Sequence, residues 1–208
     1  FLSNISHEIR TPMNAIIGFA GLLTDHEITA EEKESYIFQI NQNSNALLNL
    51  IEDIVDISKI ESGELNVSIS NTNINNQVEE IYDFFKLEVE KKGIQFEFKN
   101  SLSNEKSFIN TDQEKVNAIL LNLVNNAIKY TIIGSIKFGY NIKTDSEPDE
   151  LVFYVTDTGV GIPKNKQEDI FERFIQADIE DRMARQGSGL GLSIAKSYVQ
   201  VLNGKIWI

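Results

Sequence analysis

Apolar residues recur at helical spacing across the first sixty residues of the chain, and the pattern breaks at Ser62-Gly63. In residues 1–23, Leu2, Ile9, Ile16 and Leu23 share one core position, Ile5 and Phe19 share the other, and Pro12 fills the remaining slot. Near-heptad spacing of this kind specifies a helix with a single apolar seam, running to about Asp25. Thr29 is a good N-cap for a second helix to about Ile60, with Glu31 and Glu32 placed against its positive end. Its seam reads as Ile37, Ile40, Leu47, Ile51 and Ile54. A connection of roughly 5–8 residues makes the two helices antiparallel neighbours. Such a hairpin has nothing of its own to cover most of its seam. Either the second half of the chain covers it, or a second copy completes a four-helix bundle; the sustained seam on both helices favours the homodimer.

The same spacing leaves His7 on the far side of the first helix, with Glu8 beside it and Arg10, Thr11 and Asn14 on its face. A neutral imidazole on a rigid helix beside a carboxylate is a usable nucleophile, though the helix alone favours an exposed surface histidine. His26 falls in the loop.

Beyond Gly63 the period changes. Leu65, Val67 and Ile69 alternate as in a strand, and residues 71–92 read as a helix with Ile74, Val78, Ile81, Phe85 and Val89 on one face, ended by Gly93. Strands are expected at 94–99, 107–110, 135–143 and 150–156. A helix is expected from the Asp112 N-cap to about Tyr130, another at 188–202, and a strand from Lys205. This interleaving describes an α+β sandwich with a mixed sheet covered by helices.

The 208 residues suffice for two small domains, expected at 1–62 and 63–208. A net charge of -12 argues against nucleic acid or an anionic membrane surface as partner, but not against a nucleotide. Cysteine is absent, which excludes disulfides and thiolate metal sites. No apolar run approaches the ~20 residues of a membrane span. Because the first residue is Phe and the end reads as an unfinished strand, the chain is expected to be a fragment of a longer protein, with any membrane anchor outside it.

Three stretches of the second half carry chemistry. Asp157-Thr158-Gly159-Val160-Gly161-Ile162-Pro163 follows a strand, and Gly187-Ser188-Gly189-Leu190-Gly191-Leu192 opens a helix. Glycines let backbone amides approach an anion, and a helix N-terminus adds partial positive charge; tight turns need glycine too. The run NLVNNAIKYT sets Asn122 and Asn126 four apart in a helix, where Asn is a poor residue. Their amide oxygens suit Mg²⁺ bound together with phosphates, and Lys129 suits a phosphate, unless this is only a solvated polar face. Between the glycine runs, residues 164–186 include FERF and read as a lid or as a surface loop.

Taken together and in this order, the motifs resemble those of two-component histidine kinases, whose ATP domain belongs to the superfamily shared with DNA gyrase, MutL and a heat-shock chaperone. SHEIRTPMNAI looks like the H-box, NLVNNAIKYT the N-box, DTGVGIP the first G-box, FERF the F-box and GSGLGLSIAK the second G-box. The H-box wording is similar to that of hybrid kinases. The resemblance implies a cytoplasmic core that uses ATP and Mg²⁺ to phosphorylate His7 and then an aspartate of a response regulator. By position, Glu8 matches the orienting acid and Thr11 the residue implicated in dephosphorylating the regulator. Asn126 matches the Mg²⁺ ligand, and Asn122, Lys129 and Tyr130 match nucleotide contacts. Asp157, with Gly159 and Gly161, matches the adenine-recognition position. Gly187, Gly189, Leu190 and Gly191 match the phosphate side. Gln186 departs from the glycine frequent there. A nucleotide-gated scaffold or phosphatase with little kinase output is the alternative.

Overall fold

The computed structural model describes residues 2–25, 27–144, 150–175 and 189–208. They form two compact units, Phe1–Glu64 and Leu65–Ile208.

The first unit is the expected hairpin of α1 (Leu2–Leu22) and α2 (Ala30–Ser62). α1 ends three residues earlier than the periodicity implies, in a turn where the Thr24 hydroxyl donates to the Gly21 carbonyl at 2.7 Å. α2 starts in a full capping box. The Glu32 N–H donates to the Thr29 hydroxyl at 3.2 Å, and the Thr29 N–H donates to the Glu32 carboxylate at 2.8 Å. It stops at Gly63 in the left-handed conformation, and the Glu64 N–H reaches back to the Lys59 carbonyl at 3.0 Å.

α1 turns Ile5, Ile9, Pro12, Ile16 and Phe19 inward, as read from the sequence, and Leu23 in the turn after it is half-buried too. On α2 the inward stripe is Tyr36, Ile40, Leu47, Leu50, Ile54 and Ile57, with Leu50 and Ile57 the most buried. Ile37 and Ile51, assigned to that seam from the sequence, are instead 42% and 45% exposed. They belong to a parallel stripe one residue along, with Leu48 and Val55, and α1 has its counterpart in Met13 and Ile17. Two adjacent apolar stripes exist, and the hairpin consumes only one.

The second unit contains β1 (Ser70–Asn73), α3 (Ile74–Lys92), β2 (Gln95–Lys99), β3 (Phe108–Thr111), α4 (Gln113–Tyr130), β4 (Ser135–Lys143), β5 (Glu150–Asp157) and α5 (Gly191–Val201). β1 and β3 form an antiparallel pair. The main sheet has the order β2-β4-β5, with β2 parallel and β5 antiparallel to β4, so it is mixed as expected. Ile136, Phe138 and Tyr140 of β4 alternate inward against Ile74, Val78, Ile81, Phe85 and Val89 of α3 and Val116, Leu120, Val124 and Ile128 of α4. Phe96 and Phe98 of β2 stack around Tyr82 and Phe138 at ring separations of 4.9–6.2 Å. A buried polar knot fixes the loop before β3: the Tyr140 hydroxyl donates to the Asn75 side chain at 2.6 Å and accepts the Leu102 N–H at 3.3 Å.

Two expected strands are absent. Residues 65–69 pair with no strand despite their alternation, and residues 205–208 are irregular. Among the described residues no helix is long and apolar enough to cross a membrane.

Candidate functional site

α4 is amphipathic, so burying Val116, Leu120, Val124 and Ile128 against the sheet leaves Asn122, Asn126, Lys129 and Tyr130 half-exposed on other faces. Two glycine segments close on this helix. A Cβ at Gly191, the first residue of α5, would lie 2.5 Å from the Asn122 amide oxygen, so only glycine lets α5 begin there without displacing Asn122. A Cβ at Gly159 would lie 2.3 Å from the Tyr130 carbonyl oxygen. That carbonyl accepts the Val160 N–H at 3.3 Å, and Asp157, at the end of β5, accepts the Gly159 N–H on one carboxylate oxygen at 2.8 Å. The Thr158 hydroxyl, which motif reading passed over, accepts the Ser135 N–H at 2.9 Å and ties the same loop to the start of β4. The Lys129 ammonium lies 4.7 Å from the centre of the Tyr130 ring.

Leu190 is fully buried and its carbonyl accepts both the Ser193 hydroxyl at 2.7 Å and the Ile194 N–H at 3.0 Å, which starts α5. The FERF segment is fastened to this end of the unit. Phe174 donates its N–H to the Gly189 carbonyl at 3.0 Å, and Glu172 pairs with Lys196 of α5 at 3.3 Å. Gly161 is left-handed at φ 68 and has open space around it. Gly187 lies outside the described residues, as do positions 176–186 of the expected lid.

His7 is exposed on α1 with Glu8 half-buried beside it. The exposed Thr11, one turn on, donates its hydroxyl to the His7 carbonyl at 3.2 Å. α1 runs without interruption through Pro12, whose ring removes the donor for the Glu8 carbonyl.

At the N-terminus of α4 lies a feature absent from the motif reading. Asp112 caps the helix by accepting the Lys115 N–H at 3.1 Å, and it pairs with the Lys115 ammonium at 2.7 Å; the carboxylate is buried and the Lys115 side chain is 12% exposed. Asp112 also accepts the Ser68 N–H at 2.8 Å, and Lys115 donates to the Asn66 carbonyl at 2.7 Å while lying over the Tyr198 ring of α5. Burial alone would raise the Asp112 carboxyl. The bonds from Lys115 and Ser68 and the ammonium charge outweigh it and hold the group below its ordinary value. An Asp followed at i+3 by Lys at a helix start was the available signal.

These features fit a Mg-nucleotide. The glycines let two loops close on α4 and Gly161 leaves open space in one of them, Asp157 keeps a second carboxylate oxygen for a donor, and Lys129 brings positive charge. Among the described residues no group of three or more His, Asp or Glu could hold a metal. Asn126 offers one hard amide oxygen, which suits Mg²⁺ when phosphates and water complete its shell.

A mixed sheet under helices, with glycine-bounded loops closing on an asparagine-bearing helix, defines an ATP-binding domain preceded here by a phosphoacceptor-type hairpin. Residues 111–208 match the model of the histidine kinase-, DNA gyrase B- and HSP90-like ATPases, and residues 1–63 match that of the His Kinase A (phospho-acceptor) domain. The chain belongs to the two-component sensor histidine kinases. It is 38% identical over 208 residues to the autoinducer 2 sensor kinase/phosphatase LuxQ of Vibrio vulnificus, covering 99% of this chain and 24% of that protein. Full-length ShkA in complex with AMPPNP superposes with a TM-score of 0.71 at 27% identity, over 99% of this chain and 42% of that one. The histidine kinase ThkA in complex with the response regulator TrrA gives 0.66 at 26% identity, over 99% and 56%. The chain thus spans about a quarter of the length of the curated relatives it matches.

Proposed function

We propose that this chain is the catalytic core of a sensor kinase that phosphorylates its own His7 from ATP and then passes the phosphoryl group to an aspartate of a response-regulator receiver domain. The observation that carries the reading is the presence in one chain of an exposed histidine beside a carboxylate and a separate ATPase-type unit whose glycine-bounded loops close on Asn122 and Tyr130. Residues 1–64 act as the acceptor and dimerisation unit, and residues 65–208 as the donor unit.

In the donor unit Asp157 recognises the adenine amino group, with Gly159 and Gly161 shaping the loop around it. Asn122, Lys129 and Tyr130 contact the nucleotide, and Gly187, Gly189, Leu190 and Gly191 flank the phosphates. Asn126 would hold Mg²⁺, which supplies charge neutralisation on the phosphates when bound. One imidazole nitrogen of His7 forms the P–N bond as the γ-phosphorus–oxygen bond breaks and its electron pair leaves with ADP. Glu8 holds the proton on the other nitrogen, which fixes the tautomer.

Thr11 supports a second activity at the same face. Its exposed hydroxyl stands one turn from His7, suited to orienting water against a phosphorylated regulator, and LuxQ is itself named a kinase/phosphatase. The unconsumed stripe of Met13, Ile17, Ile37, Leu48, Ile51 and Val55 is what a second copy would cover to make the four-helix bundle. The core works in the cytoplasm, where ATP and regulators are found, and any membrane attachment comes from segments outside this chain.

The test is His7→Gln. Acid-labile, base-stable label from γ-labelled ATP disappears while nucleotide binding survives; normal labelling of the variant would overturn the assignment.

A further inference from the structure

The clasp at the start of α4 bears on how far the donor unit can reach. The last hydrogen bond of the hairpin is made by the Glu64 N–H, and the first bond of the nucleotide-binding unit is made by the Asn66 carbonyl, held by Lys115. Leu65 alone separates them. Behind the clasp the chain is still irregular as far as Ser70, where β1 begins. Residues 65–69 are therefore not slack linker, although nothing in their own secondary structure holds them. They are held by an ion pair on α4 whose carboxylate is buried; α4 also carries Asn122 and Asn126, and Lys115 of the pair lies 5.9 Å from the centre of the Tyr198 ring of α5. Burying the Asp112 carboxylate carries a desolvation cost, and the bonds from Lys115 and Ser68 that offset it also fix the chain that crosses the pair.

We propose that Asp112 and Lys115 are positioning residues for phosphoryl transfer: by clasping Asn66 and Ser68 they shorten the tether between the two units to a single residue and so set the effective concentration of the nucleotide site at His7. This rests on the kinase reading above. Opening the clasp frees about five residues. The volume explored by a flexible tether grows roughly as the three-halves power of its length, so going from one residue to about five dilutes the site by about tenfold. ATP binding lies within the second unit and does not depend on that length.

The experiment uses the whole chain and wild-type labelling of His7 as its reference; absence of that labelling would count against the kinase reading, not against the clasp. In Asp112→Ser/Lys115→Met, serine keeps the helix cap but cannot also reach Ser68, and methionine keeps the aliphatic packing without the charge. The Ser68 amide then exchanges with solvent at least tenfold faster. Single-turnover phosphorylation at saturating ATP falls about tenfold, and KM for ATP stays within twofold. Inserting Gly-Ser-Gly-Ser between Leu65 and Asn66 gives the same fall with the clasp intact and Ser68 still protected. The same insertion between Ser68 and Ile69, behind the clasp, leaves the rate at the wild-type value. These insertions decide the matter even if the double variant does not fold. An unchanged rate with the first insertion, an equal fall with both, or a rise in KM with unchanged kcat in the double variant would overturn the proposal.

Discussion

Gly159 and Gly161 stand two residues apart in one motif but are glycine for different physical reasons, and substitution separates them. At Gly159 the backbone is ordinary, but an added Cβ meets the Tyr130 carbonyl oxygen at 2.3 Å and its carbon at 2.8 Å. Ordinary contact begins near 3.4 Å, so one backbone segment must yield by 3.4 − 2.3 = 1.1 Å. The atom struck is backbone at the end of α4, not the tip of a flexible side chain, and its movement breaks the Val160–Tyr130 bond. Overpacking of this kind costs about 1–3 kcal/mol, and the broken bond adds about 0.5–1.5 kcal/mol. Gly159→Ala is thus expected to lose about 2–4 kcal/mol, a fall in Tm of roughly 6–12 °C at ~3 °C per kcal/mol for a unit of this size. It also moves the loop that carries Asp157, so ATP affinity falls with it. At Gly161 there is room for a Cβ, and only the left-handed backbone opposes it, at about 1–2 kcal/mol. Asparagine tolerates that conformation, so Gly161→Asn recovers part of the loss seen in Gly161→Ala, whereas Gly159→Asn is worse than Gly159→Ala. Thermal unfolding with and without ATP, beside nucleotide titration, distinguishes the cases. Equal losses for the two alanine variants, or rescue of Gly159 by asparagine, would refute the reasoning.

Four further outcomes are expected. The Asp112 carboxyl is held below its ordinary 3.8, so its contribution to stability is complete above that value and disappears as pH falls through the lower folded-state value. Urea titrations from pH 6 to pH 3 should therefore show wild type converging on Asp112→Asn only at the acid end. Tyr140→Phe strands the buried Asn75 oxygen and the Leu102 N–H, and chemical denaturation should register a loss of about 1–3 kcal/mol. Ile51→Asp, on the exposed stripe, should shift sedimentation equilibrium towards monomer and leave hairpin helicity intact. Ile57→Ala, at 1% exposure, should destabilise the hairpin by about 2–5 kcal/mol.

Elements with local determinants were legible in the chain. Thr29 with Glu32 and then Gly63 bounds α2, and Asp112 starts α4, because caps act over a few residues. What failed depended on partners distant in sequence. Leu65, Val67 and Ile69 alternate correctly for a strand, yet they pair with no strand among the described residues, and their neighbours' backbone groups go to Asp112 and Lys115 instead. On α2, Ile37 and Ile51 satisfy heptad spacing as well as Leu50 and Ile57 do. Periodicity identifies an apolar stripe but cannot say which of two adjacent stripes meets α1. Of the motif residues, Gly191 meets Asn122, and Gly159 meets Tyr130 and Asp157, pairings between elements that spacing along the chain does not give. The Thr158 hydroxyl and the Phe174–Gly189 bond were invisible because their partners are backbone groups, which every residue carries.

That last bond has a consequence for how this enzyme family can vary. Phe174 and Gly189 fasten the two ends of the intervening segment to each other, so the chain leaves and re-enters the domain at one fixed gate. Once a loop's ends are fixed, doubling its length costs only about 0.6 kcal/mol of closure entropy. A change in the number of residues between Phe174 and Gly189 is therefore expected to leave this bond, and the positions of the two residues it joins, in place.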